Sequence, residues 1–160
     1  MKIIKNFVEP NVFRHMKDLV FSHSFPYFYV PTVGSVRDRS DFMFQHLLFF
    51  DNKQNSDHFN LLMSPLLGRL DFNFLIRAKL NCYTKKDKFI YTDLHTDFYE
   101  PHFVALFSLN TCNGFTYFED TKEKVPSIEN QMCIFDGSRR HCSVAQTDTD
   151  LRINININLQ

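Results

Sequence analysis

No run of apolar residues in this 160-residue chain approaches the roughly 18 that a membrane span requires. The opening Met1-Lys2-Ile3-Ile4-Lys5-Asn6-Phe7-Val8 also lacks the apolar stretch of a secretory signal. A cytoplasmic protein with no membrane partner is the default expectation. Net charge is missing as well, because 18 basic and 18 acidic residues cancel. The basic excess that usually marks a nucleic-acid binder is therefore absent. Tryptophan is absent beside 19 phenylalanines, an imbalance with no functional reading of its own. The four cysteines, Cys82, Cys112, Cys133 and Cys142, form neither a C-x-x-C pair nor a regular framework. Reduced and mostly buried thiols are expected. Repeats, linkers and low-complexity segments are lacking too, which favours one domain over residues 1–160.

What is present is a chain with two textures. Val12, Met16, Leu19 and Val20 recur at helical spacing, and Pro10 suits a first turn, so a helix is predicted from Pro10 to about Ser24. A second helix is predicted from about Ser56 to Leu70, weakened by Pro65 and Gly68. Between them lie an aromatic β-like stretch, Phe25 to Val30, and a polar segment, Thr32 to Asp41.

From Asp71 onward, short runs of β-formers alternate with turn signals such as Lys85-Lys86-Asp87, Asn113-Gly114 and Asp136-Gly137. The predicted strands are 72–83, 89–97, 102–109, 114–119, 131–135, 142–146 and 152–159. Helices followed by this many strands predict an α+β, mainly β chain. Residues 1–71 would form a helical or mixed support and residues 72–160 a jelly-roll core.

His95-Thr96-Asp97 is the first chemical signal. Residues i and i+2 of a strand face the same way, so an imidazole and a carboxylate would be presented side by side. That is two-thirds of the facial triad that binds non-haem iron(II) with open positions. His141 follows 44 residues after Asp97, just past a turn, and can supply a third ligand. Arg152 opens the last strand, and its guanidinium can hold a carboxylate through two parallel hydrogen bonds.

In that strand Arg152, Asn154, Asn156 and Asn158 share one face and Ile153, Ile155 and Ile157 the other. Either face could turn inward, and the metal reading requires the one that bears Arg152. An inward polar face would make a pocket wall. Asp93 shares the expected face of His95 and Asp97 and is a rival ligand or an orienting partner. A zinc site using Cys142 beside His141 is a weaker alternative for want of a second nearby thiolate. The lysines of the 84–89 turn, Lys85, Lys86 and Lys88, read as a solvated turn or as a lid over substrate.

Over residues 77–159 the sequence resembles the 2-oxoglutarate/Fe(II)-dependent dioxygenases, in particular the prolyl 4-hydroxylase-like branch. The resemblance is carried by Cys82-Tyr83, His95-Thr96-Asp97, Leu109-Asn110, Asn113-Gly114, Phe135-Asp136 before His141, and Arg152 with its alternating strand. The overall look is similar to small phage-encoded members, which would place the protein in a host cytoplasm.

The resemblance implies a double-stranded β-helix, with iron(II) held by His95, Asp97 and His141. It implies 2-oxoglutarate and O2 as co-substrates, with Arg152, Tyr83 and Asn154 on the 2-oxoglutarate side. The implied reaction is hydroxylation of a C–H bond in a peptide, plausibly at proline, or in a small molecule, with succinate and CO2 as co-products. The residue before Leu109-Asn110 is often a second tyrosine in that branch, and here it is Ser108. Two rivals stay open. One is a cupin-like metal enzyme that ignores 2-oxoglutarate, although its paired-histidine motif is missing. The other is a non-enzymatic viral jelly-roll binding module.

Overall fold

The computed structural model describes residues 1–33 and 41–160. Most of the polar segment expected at Thr32 to Asp41 therefore lies outside the described residues. The chain is mainly β, as expected. Its large antiparallel sheet contains β1 (Lys2–Ile4), β2 (Phe28–Val30), β3 (Met43–Phe50), β4 (Lys53–Gln54), β5 (Leu75–Thr84), β6 (Phe103–Ser108), β9 (Gln131–Asp136) and β11 (Leu151–Leu159). The order runs β1-β9-β6-β11-β5-β3-β2, with β4 added beside β3. A second sheet runs β10-β7-β8, built from β7 (Cys112–Phe118), β8 (Lys124–Ser127) and β10 (His141–Val144).

Two helices brace the large sheet. Helix α1 spans Pro10–Val20, begins on the expected proline, and buries Phe13, Met16 and Val20. Helix α2 spans Phe59–Leu67, shorter at both ends than the sequence suggests. Its start is delayed because Ser56 Oγ accepts the His58 N–H in a turn ahead of it. Its end follows from Pro65, which removes a donor from the last turn.

Residues 1–71 do more than supply helices, since β1 pairs with β9 and β3 pairs with β5 inside the large sheet. Strand β3 is not apparent in the sequence. A register shift between Leu47 and Phe49 breaks its period-2 alternation, leaving a run that reads as neither helix nor strand. Its hairpin partner β4 follows a two-residue turn, Asp51-Asn52, with φ of 53° and 55°.

The alternation of β11 buries both faces. Ile153, Ile155 and Ile157 pack with Met16, Leu62, Met63, Leu80 and Phe107 between the sheet and the helices. Burying each such side chain contributes roughly 1.5–3 kcal/mol. Arg152, Asn154, Asn156 and Asn158 are also buried, on the side facing the second sheet. Between the sheets, one end is filled by Val104, Phe118, Val125, Cys133 and Phe135. The remainder of that space is a polar cavity.

Candidate active site

Two adjacent strands make one wall of the cavity. Strands β5 and β11 pair Tyr83 with Arg152, Asn81 with Asn154, Lys79 with Asn156, and Arg77 with Asn158. Because alternate residues share a face, these four pairs form a ladder of polar rungs. The opposite faces of the same strands, Ala78, Leu80, Cys82 and the three isoleucines, belong to the apolar core. The cavity measures about 130 Å³, and its lining takes in seven of these eight rung residues, all but Asn158, together with His95, Asp97, His141, Thr116 and Ser143.

His95, Asp97 and His141 converge at one end of the cavity, with one ligand-capable atom of each within 4.8 Å of the others. The route to this cluster differs from the expected one. Residues 89–97 form no regular strand, and meet β10 through isolated bridges at Tyr91–Val144 and His95–His141 and through the Thr92 hydroxyl, which donates to Ser143 O and accepts from its N–H. The histidines still meet because that bridge exchanges two backbone hydrogen bonds.

Each ring has its Nδ1 against a backbone carbonyl, Asp93 O at 2.9 Å for His95 and Arg139 O at 3.0 Å for His141. A carbonyl only accepts, so the proton sits on Nδ1 and the Nε2 lone pair is free for a metal. Burial, reinforced by the neighbouring His95, lowers the pKa of His141 and favours this neutral ring. Asp93 itself is exposed and outside the cluster. Its part is the backbone carbonyl, and its carboxylate does not compete with Asp97.

Asp97 is held from three directions. Arg77 Nη2 donates to Oδ1 at 3.0 Å, while the Asn156 and Asn158 amides donate to Oδ2 at 3.1 and 2.8 Å. Burial alone would raise its pKa, but Arg77 and the Asn158 bond outweigh that and hold the carboxyl well below its usual range. Arg77 is in turn fixed by Asn158 Oδ1 at 3.1 Å and by the Phe98 ring, 4.6 Å from its guanidinium carbon. The sequence reading gave Arg77 no role, although its even spacing from Tyr83 along one strand places it on the same face.

Arg152 lies at the far end of the ladder with 2% of its surface exposed. Its guanidinium donates to Phe115 O, Val144 O, Ser143 Oγ and Thr116 Oγ1, all neutral acceptors. No described carboxylate pairs with it, and its Nε is buried without a partner. Desolvation works against its charge and lowers its pKa. The Tyr83 ring lies 5.5 Å from the guanidinium carbon, and burial raises the Tyr83 pKa. Asn154 receives a hydrogen bond from Asn81 at 3.1 Å. Ser108 is buried on the same strand as Val104 and Leu106, which line the cavity, but it does not line the cavity itself.

Two more sequence features acquire a place. Asn110 donates to Leu151 O and accepts from Ile153 N, both at 2.9 Å, clamping the chain on either side of Arg152. Asn113-Gly114 is not a turn. It lies within β7, where a Cβ on Gly114 would stand 3.1 Å from Arg152 Cδ and from two atoms of Gln146. Lys86 pairs with Asp41 and lies over the Phe42 ring, so it is not a free lysine on the 84–89 turn. Cys142 is buried with Phe115 and Val144 away from His141, and no cysteine joins the cluster among the described residues.

No family model matches this sequence, and no curated protein matches it. The fold has clear counterparts. A prolyl hydroxylase from Trichoplax adhaerens, solved with a hypoxia-inducible-factor peptide fragment, superposes with a TM-score of 0.68 at 17% identity, covering 99% of this chain and 82% of that one. An oxidoreductase of the 2OG-Fe(II) oxygenase family from Burkholderia pseudomallei gives 0.69 at 12% identity, covering 98% and 84%. A viral collagen prolyl hydroxylase from Paramecium bursaria Chlorella virus-1 gives 0.58 at 9% identity, covering 99% and 88%.

This chain has the 2OG-Fe(II) oxygenase fold. The jelly roll expected from the strand pattern is therefore the double-stranded β-helix of that fold, with its helices on the outer face of the large sheet. No helix among the described residues is long and apolar enough to cross a membrane.

Proposed function

We propose that the protein is an iron(II)- and 2-oxoglutarate-dependent oxygenase that hydroxylates a substrate C–H bond. One observation carries the reading. A His-Asp-His cluster and a buried guanidinium with no carboxylate partner among the described residues face the same cavity. A buried cation surrounded only by neutral acceptors favours an anionic guest. The donor set fits the metal too, since two neutral imidazoles and a carboxylate leave positions open on iron(II). A cupin-like site that ignores 2-oxoglutarate has no need of Arg152, and a structural jelly roll has no need of either.

In this reading His95 and His141 hold the metal through Nε2 and Asp97 through its carboxylate. Arg77, Asn156 and Asn158 fix the direction of that carboxylate, as the partners of metal ligands commonly do. Arg152, with Ser143 and Thr116 beside it, binds the distal carboxylate of 2-oxoglutarate. Tyr83 and Asn154 line the path between that carboxylate and the metal. Val104, Leu106 and Phe135 keep water from the remaining sides of the cavity. When bound, the metal supplies O2 activation coupled to oxidative decarboxylation of 2-oxoglutarate, yielding succinate, CO2 and a hydroxylated substrate. The hydroxylases of similar fold suggest a peptide or small-molecule substrate, with prolyl residues as one class.

The test is aerobic incubation of the iron-loaded protein with 2-oxoglutarate and candidate substrates. Succinate should form only with both iron and 2-oxoglutarate, and a turned-over substrate should gain the mass of one oxygen. Iron binding with no consumption of 2-oxoglutarate under any substrate would contradict the reading.

A further inference from the structure

Lys79 is the basic residue of the cavity wall that neither Asp97 nor the proposed co-substrate accounts for. It projects from β5 between Arg77 and Asn81, on the rung opposite Asn156. Asn156 donates to Asp97, so this rung adjoins the metal end of the cavity. Its two basic neighbours on the wall have partners or an assigned guest. Arg77 pairs with Asp97, and Arg152 sits among neutral acceptors at the other end. Lys79 lines the cavity, and no described side chain forms a salt bridge or hydrogen bond with its ammonium group. A half-buried ammonium without a protein partner favours a guest that supplies the counter-charge.

The charges lead to the same place. Arg77, Lys79 and Arg152 bring three positive charges to the wall, and Asp97 brings one negative charge. With neutral histidines, the described lining residues carry an excess of two positive charges. A divalent metal and a 2-oxoglutarate dianion cancel one another and leave that excess in place. A neutral peptide segment would not offset it, whereas a carboxylate would, through a charge-assisted hydrogen bond.

Resting on the function proposed above, we propose that Lys79 anchors a carboxylate of the substrate itself. The substrate class is then a small carboxylate-bearing molecule, oxidised at a carbon near that carboxylate. Lys79 acts as a specificity-determining residue beside the metal.

The test uses protein loaded with Zn(II) and 2-oxoglutarate, which cannot turn over, and reads binding by calorimetry. The probes are a pool of free amino acids and small hydroxy acids, the matching pool of their carboxamides, and amidated short peptides. The acid pool should contain a binder whose carboxamide binds at least tenfold more weakly. Lys79→Gln should weaken the acid at least tenfold and erase the preference for acid over amide, and Lys79→Arg should restore part of it. The affinity for 2-oxoglutarate should stay within twofold in Lys79→Gln.

Amides or peptides binding as well as acids would overturn the inference, as would an acid pool without a binder. Loss of 2-oxoglutarate affinity in Lys79→Gln would make Lys79 the co-substrate anchor and would likewise overturn it. If the wild-type protein binds no 2-oxoglutarate at all, the functional reading falls and this inference falls with it.

Discussion

His95 and His141 are bonded to each other through their backbones, each N–H donating to the other's carbonyl at 3.0 Å, with ring centroids 4.8 Å apart. The pairing holds both imidazoles at one level, while Asp93 O and Arg139 O fix their Nδ1 protons. The third ligand, the carboxylate of Asp97, comes two residues after His95. Asp97→Ala and His141→Ala should therefore abolish stoichiometric metal binding, whereas Asp93→Ala should retain it because only its backbone carbonyl is used. Metal content after gel filtration checks this. Retention by Asp97→Ala with loss by Asp93→Ala would reverse the assignment.

Arg77 aims Asp97 without belonging to the cluster. Arg77→Met should lower iron(II) affinity by roughly 10–100-fold while the fold persists, because Asn156 and Asn158 still hold one oxygen of Asp97. Competition against a metal indicator measures this, and an unchanged affinity would leave Arg77 with a packing role only.

Arg152→Ala should raise the 2-oxoglutarate requirement by about 2–5 kcal/mol of binding free energy, with iron affinity little changed. Arg152→Lys should recover only part of the loss, since the fork of parallel donors is gone. Gly114→Ala should move in the same direction more weakly, because its Cβ would press on Arg152 Cδ at 3.1 Å. The dependence of succinate formation on 2-oxoglutarate concentration separates the three variants.

The cysteines give a prediction independent of the site. Burial pushes the thiols of Cys82, Cys133 and Cys142 up to about 11 from an ordinary 9.0. A folded pKa above the unfolded one means their contribution is fully present below pH 9 and is lost as pH rises towards 11. Unfolding free energy should fall by on the order of 1 kcal/mol per thiol between pH 9 and 10. Urea titrations across that range should show this slope, and replacing the three cysteines with alanine should flatten it.

Much of this was legible in the sequence because it rests on period-2 alternation. Arg152, Asn154, Asn156 and Asn158 fall on one face of β11 whatever the sheet, and only the choice of face was open. Burial of both faces resolves it, since the isoleucines meet the helices and the polar residues meet the cavity. The metal-ligand candidates were legible for a different reason, since His95-Thr96-Asp97 is weak alone but the ordered set with His141 and Arg152 is specific. Their local geometry was not. Residues 89–97 are anchored at two bridges instead of a continuous ladder, and composition does not encode that difference. Strand β3 escaped because its bulge shifts the buried positions mid-strand. Arg77 and Lys79 escaped because a basic residue in a strand reads as solvent-facing until the partner strand and cavity are known.

The central claim is one cavity that holds iron(II) at one end and 2-oxoglutarate at the other. Visible absorption of the anaerobic protein tests it most directly, because a keto acid chelating iron(II) gives a weak charge-transfer band. The account predicts a band that needs both iron(II) and 2-oxoglutarate. It should be missing in Asp97→Ala, and in Arg152→Ala it should saturate only at much higher 2-oxoglutarate. A protein that binds iron(II) stoichiometrically yet gives no band at any 2-oxoglutarate concentration would contradict it.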